Sequence, residues 1–121
     1  GVVVSTFFDE ADTTNTVATD FVKGFKEYLK AHPDDLEKNG GEGVAAVSAL
    51  GYDGYMVAIA AIEAAGSTDG TAIRDALAGV TITGVTGDIS FDENGDAKKD
   101  MAYLNVIEGG KFTFLKTVSI G

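Results

Sequence analysis

Cysteine is absent from this chain of 121 residues, and with it go disulfides, thiol catalysis and thiolate metal sites. Compartment cannot be read from that absence, since proteins that fold without oxidation occur on both sides of a membrane. Only one proline interrupts the sequence, and apolar residues make up 45% of it, a balance that fits a folded domain, not a disordered segment. Basic residues are scarce: nine Lys and Arg stand against nineteen Asp and Glu, a net charge of −10. A surface that acidic repels nucleic acid and anionic lipid, so neither is an expected partner. Long hydrophobic runs are missing too. The longest, Met56 to Ala65, is too short and too rich in alanine to cross a bilayer. The chain opens at Gly1 without a basic, signal-like region, as a mature or trimmed product would, so export stays open.

A single histidine, His32, is the one ready general base. It precedes Pro33 at a helix-to-loop boundary, and no nucleophile motif accompanies it. Ser48 lies in AVSAL, which lacks the G-x-S-x-G elbow. A cation at a helix C-terminus complements the dipole, which gives His32 a sufficient structural role. Catalysis is not expected.

What is present reads as alternating elements. Gly1 to Phe8 is a near-continuous β-branched and aromatic run, the pattern of a strand buried on both faces in a parallel sheet. From Thr16 the residues Val17, Phe21, Phe25 and Leu29 form one helical face, which should end near His32 before Pro33. Pro33 to Gly43 reads as a charged, glycine-rich loop. A second helix should run from about Glu42 to Ala65 and stop at Gly66, and a third from about Thr71 to Ala78 behind the caps Ser67, Thr68 and Asp69. Ile89 and Phe91 alternate with polar residues, Asn94-Gly95 suits a type I′ hairpin turn, and Met101 to Ile107 and Phe112 to Ile120 flank Gly109-Gly110. The expected fold class is α/β, with three helices packed on a mixed sheet. The first strand asks for neighbours that no further strand-helix-strand unit supplies, so the layer is incomplete and the chain looks cut from something larger. Alone, it is expected to be marginal or to pair with a second copy through its sheet edge.

Two motifs fail on inspection. Gly41-Glu42-Gly43-Val44-Ala45-Ala46 matches the dinucleotide pattern but follows acidic, polar residues instead of a strand, so no nucleotide cofactor is expected. Asp92, Asn94 and Asp96 begin like a calcium loop, yet the required glycine falls at Ala97 and the closing glutamate at Tyr103. No metal site is expected.

The richest stretch runs from Ala49 to Asp96. It joins Gly51-Tyr52-Asp53 at the head of a helix, Ala64-Ala65-Gly66-Ser67-Thr68-Asp69 between helices, Ile73-Arg74-Asp75-Ala76-Leu77, and Gly84-Val85-Thr86-Gly87 leading to Ile89-Ser90-Phe91-Asp92-Glu93-Asn94-Gly95-Asp96. That order resembles the C-terminal part of the periplasmic amino-acid receptors of ABC importers, the leucine/isoleucine/valine-binding type, and looser likeness extends over Gly1 to His32. The resemblance implies that residues 1–121 are the C-terminal segment of a bilobal solute-binding protein with the type I periplasmic binding protein fold. It implies capture of a branched-chain or other small amino acid by hinge closure, delivery to a membrane permease, no cofactor and no enzyme activity. It also implies a periplasmic or extracellular location, with lipid anchoring an option for the full-length protein. By the same resemblance Tyr52 contacts the ligand's side chain, and Phe7 or Phe8 reaches the cleft where the chain crosses between lobes. Tyr55, three residues on, is expected in the core. A ligand-sensing module of the same fold in a regulator is the alternative. The sequence departs from the family's pattern at Asp34 to Gly43, longer and more acidic than the usual connection. The family's clamps for the ligand's α-amino and α-carboxyl groups lie largely on segments outside this chain.

Overall fold

The computed structural model describes residues 1–120. In chain order the elements are β1 (Val3–Thr6), α1 (Thr16–Ala31), α2 (Pro33–Asn39), α3 (Ala46–Ala65), α4 (Gly70–Leu77), β2 (Ile82–Gly84), β3 (Gly87–Phe91), β4 (Ala97–Lys98), β5 (Met101–Glu108) and β6 (Lys111–Ser119). The α/β class is as expected, but its layout differs. Four helices replace three, and two small antiparallel sheets, ordered β1-β5-β6 and β2-β3-β4, replace the single mixed sheet.

Helix boundaries follow capping chemistry. The Asn15 side chain accepts from the backbone of Val17 and Ala18 and starts α1, whose expected apolar face is present. The unexpected α2 begins at Pro33, with Asp34 and Asp35 in its first turn and Lys38 in its last. Proline at the first position and charges matched to the dipole make a short helix from residues that compositionally read as loop. Residues 40–45 remain non-helical, so α3 starts at Ala46, later than Glu42. It ends at Gly66 in the left-handed conformation, as expected. Asp69 caps α4 by accepting from Ala72 at 3.0 Å.

β1 is not a strand buried on both faces. It pairs only with β5, Val3 opposite Val106, and Val2, Val3 and Val4 are exposed. A β-branched run reports strand propensity well and burial less well, because burial depends on neighbours that the rest of the chain must supply. In this chain β1 stands at a sheet edge.

The hairpin turns also sort differently. Gly109 and Gly110 both have positive φ, 57° and 76°, between the paired residues Glu108 and Lys111, so the type I′ turn lies there. At Asn94-Gly95 only the glycine has positive φ, 85°. Gly95 instead closes a turn over Asp92 to Gly95, its amide donating to the Asp92 carbonyl at 3.1 Å. Asp92 Oδ1 accepts from the amides of Asn94 and Asp96, each at 2.9 Å, and those bonds lower the carboxyl pKa. Gly95→Val is expected to cost about 1–3 kcal/mol in denaturant unfolding, since a branched residue must adopt a left-handed backbone there. Gly70→Ala, on the first residue of α4, should be milder.

The core lies where the segment after β1 meets α1, α3 and the turn after β2. Phe8, Ala18, Ala49 and Val85 are buried together, with Phe7, Val17, Phe21 and Val22 packed around them. The main helix packings are of α3 on α4, α1 on α2, and α1 and α3 on β2. None of these joins a helix to the β1-β5-β6 sheet, so the molecule is a helical body and a sheet linked by two crossings, residues 9–15 and Lys99-Asp100.

Candidate functional site

A buried carboxylate organises the junction. Asp53 lies on α3 and is 2% exposed. Its Oδ1 accepts from the Val85 amide at 2.6 Å, and its Oδ2 accepts from the Thr86 amide at 2.9 Å and the Thr86 hydroxyl at 2.7 Å. Gly84 permits this approach. A Cβ built there would stand 2.6 Å from Asp53 Oδ1. From α1 the Asn15 amide donates to the Gly84 carbonyl at 2.8 Å, so both crossings and both long helices converge on one turn. Lys99, on the second crossing, donates to the Thr86 carbonyl at 3.3 Å and to its hydroxyl. Burial lowers the Lys99 pKa, with the charges of Asp53 and Asp100 opposing that shift.

Beside this junction a cavity of about 680 Å³ opens between the sheet and the start of α3. Phe8, Ala45 and Phe114 give it apolar walls, and Thr6, Asp9 and Asn105 give it polar ones. The volume suits a small-molecule site. Asp9 Oδ1 accepts from the Ala11 amide at 2.9 Å, and its Oδ2 from the Asn105 side-chain amide at 2.6 Å, a bond that ties the first crossing to β5. Two residues earlier on β5, Tyr103 is buried. Desolvation raises its phenol pKa, reinforced by the carboxylates of Asp12 and Asp9.

The residues nominated from sequence do not form one site. Phe8 lines the cavity while being only 4% exposed, and it belongs to the core as well. Phe7 packs against that core. Tyr52 is 41% exposed, packs against Phe21 with the rings tilted and their centroids 4.9 Å apart, and lines a separate groove of about 630 Å³ with Phe25 and Tyr28. Tyr55 is not in the core of this chain but 64% exposed. Helix geometry explains both tyrosines. With about 100° per residue, Asp53 facing inward turns Tyr52 to the flank and Tyr55 to the far side.

Asp53, Asp9 and Asn105 were not singled out as site residues. Their signals were an acid on the apolar helix α3, and a polar residue in the apolar run of β5 at even spacing from Tyr103. His32 lies between α1 and α2, stacked on Tyr28 with ring centroids 4.0 Å apart, its Nδ1 2.7 Å from the Tyr28 carbonyl. The Tyr28 hydroxyl donates to Asp35 at 2.8 Å, which raises the phenol pKa and lowers that of the carboxyl. Among the described residues no cluster of His, Cys, Asp and Glu could hold a metal ion, and no helix is long and apolar enough to cross a membrane.

A helical body and a sheet joined by crossings, with a cavity at the junction, define an α/β fold. The chain belongs to the periplasmic binding protein family, whose profile matches residues 1–111 and whose members are binding proteins, not enzymes. It is similar to a leucine-binding protein from Thermotoga maritima, 35% identical with a TM-score of 0.77 over 99% of this chain and 31% of the other. An ABC-transporter substrate-binding protein from Desulfitobacterium hafniense, solved with leucine, shares the fold at 22% identity and a TM-score of 0.70, covering 95% of this chain and 31% of its own. So does a solute-binding protein from R. palustris solved with benzoate, at 17% identity and a TM-score of 0.70, covering 98% of this chain and 30% of its own. The chain therefore spans under a third of the length of these relatives. Comparison with curated protein sequences yields no match.

Proposed function

We propose that this chain is the C-terminal segment of a bilobal, extracytoplasmic solute-binding receptor of an ABC importer. Its ligand in this reading is a branched-chain or other small amino acid, handed to a membrane permease. The observation that carries the proposal is the cavity at the junction of helical body and sheet. It combines an apolar wall at Phe8 and Phe114 with polar groups at Thr6, Asp9 and Asn105. The likeness to a leucine-binding protein supports the ligand class. A site flanked by two chain crossings is also where hinge closure would add contacts and so favour a closed, loaded state. Phe8 serves as ligand wall, while Phe7 and Tyr52 support the helical body around it.

Calorimetric titration of the full-length receptor with a panel of amino acids tests this. At least one aliphatic or small polar amino acid is expected to bind at micromolar affinity or better, about −8 kcal/mol. Ala45 is exposed and lines the cavity, so Ala45→Phe should fill the site and weaken binding at least tenfold without lowering stability. Tyr52→Ala separates the two grooves. A loss of about 1–3 kcal/mol in binding, the scale for an aromatic anchor, would move the ligand to the groove beside Phe21.

A further inference from the structure

Each crossing is tied to the sheet on one side and to the helical body on the other, with a short span between. In the first, Asp9 Oδ2 accepts from the Asn105 side-chain amide of β5 at 2.6 Å, and the buried Asp12 carboxylate faces the Tyr103 phenol of the same strand. The next anchor belongs to the helical body, where the Asn15 amide donates to the Gly84 carbonyl at 2.8 Å while its oxygen caps α1. Thr13 and Thr14 stand exposed between these anchors, the Thr14 amide donating to Asp12 Oδ1 at 2.9 Å. In the second crossing Lys99 reaches back to the helical body. It donates to the Thr86 carbonyl at 3.3 Å and to the Thr86 hydroxyl, which donates in turn to Asp53. The next residue, Asp100, is already held to the sheet, its carbonyl accepting from the Ile120 amide at 2.8 Å. The chain passes between the bodies there across a single peptide link, and a side chain, not a backbone bond, keeps it that short.

We propose that Thr13-Thr14 and the Lys99-Asp100 link are the two pivots about which the bodies turn, and that Lys99 is a positioning residue that confines the second pivot to one link. The proposal rests on the receptor reading, in which the two bodies close on a solute. Hinges are a few loop residues that absorb large changes in φ and ψ while the parts they join move rigidly. Releasing Lys99 moves the last helical-body anchor back to Lys98, which pairs with Ser90 on β3, and so doubles the free span. A longer span admits more relative orientations, so reaching the closed one costs more entropy and ligand binding weakens. Lys99 does not line the cavity, so the weakening is the same for every ligand.

Lys99→Met keeps the apolar stem and removes the donor. In the full-length protein, spin labels on Lys23→Cys of α1 and Lys116→Cys of β6, both exposed positions, report the distance between the bodies by pulsed electron paramagnetic resonance. Without ligand, Lys99→Met is expected to widen that distance distribution, and Lys98→Met, at its exposed neighbour, to leave it unchanged. Calorimetry with L-leucine, L-valine and L-alanine should show each probe that binds weakened by Lys99→Met by a common factor of about three, the effect of one doubling of a free span. A distribution as narrow as that of the unaltered protein would overturn the inference, and so would equal widening in Lys98→Met. Losses that differ between probes would also overturn it, because they would place Lys99 against the ligand. Should Lys99→Met fail to fold, Thr13→Gly with Thr14→Gly carries the test at the first pivot. Two glycines there free the backbone and should widen the ligand-free distribution in the same way, and an unchanged width would overturn the inference. Absence of binding by all three probes counts against the receptor reading, and the ligand-free distances still decide the pivots.

Discussion

Asp53→Ala is expected to destabilise the protein by about 3–5 kcal/mol in denaturant unfolding. The side chain is 2% exposed and takes three hydrogen bonds, from the amides of Val85 and Thr86 and the Thr86 hydroxyl. Removing it leaves these donors buried without an acceptor, and each such group costs about 1–3 kcal/mol. It also leaves the half-buried Lys99 without the opposite charge that partly offsets its desolvation. Asp53→Asn keeps the shape but loses the charge and turns a donor toward one of the amides, so it should fall between wild type and alanine. A loss below about 1 kcal/mol for the alanine variant would mean that solvent reaches the turn readily and that Asp53 does not organise the junction.

That carboxylate shows what a sequence displays and what it hides. Gly51-Tyr52-Asp53 stands out as a motif, and the tyrosine attracts the eye as a binding group, yet it is the aspartate that reaches the turn at Gly84 to Thr86. Its partners lie 32 and 33 residues away, beyond what any local pattern reports. The pairing of Asp9 with Asn105 spans 96 residues and was illegible for the same reason. Periodic and capping signals act within one or two turns, and there the expectations were sound: the Val17, Phe21, Phe25 and Leu29 face of α1, the stop at Gly66, the Asp69 cap, and the hairpin of β5 and β6. Errors arose where a local signal was asked about distant neighbours. The run in β1 announced a strand but not that its one partner would be β5, and α2 formed because terminal charges and Pro33 outweighed a loop-like composition. Phe8 was legible as a crossing residue, and it lines the cavity, but the polar half of that wall needed the folded chain.

Gly84→Val is expected to cost about 3–4 kcal/mol, above the effect at Gly95, and for a different reason. Gly84 has no positive φ, so backbone strain is not involved. The obstacle is space. All three atoms of the Asp53 carboxyl group lie within 2.8 Å of where a Cβ would stand, and that group is held by three hydrogen bonds. Overpacking a filled site costs about 1–3 kcal/mol, and displacing a buried carboxylate from its donors adds to it. A double-mutant cycle isolates the cause. In the Asp53→Ala background the clash is gone, and Gly84→Val should then cost no more than about 1 kcal/mol, a coupling of about 2 kcal/mol or more between residues in contact. Costs that add to within about 0.5 kcal/mol would show that Gly84 and Asp53 act independently. The glycine would then owe its place in the turn to something other than the carboxylate it faces.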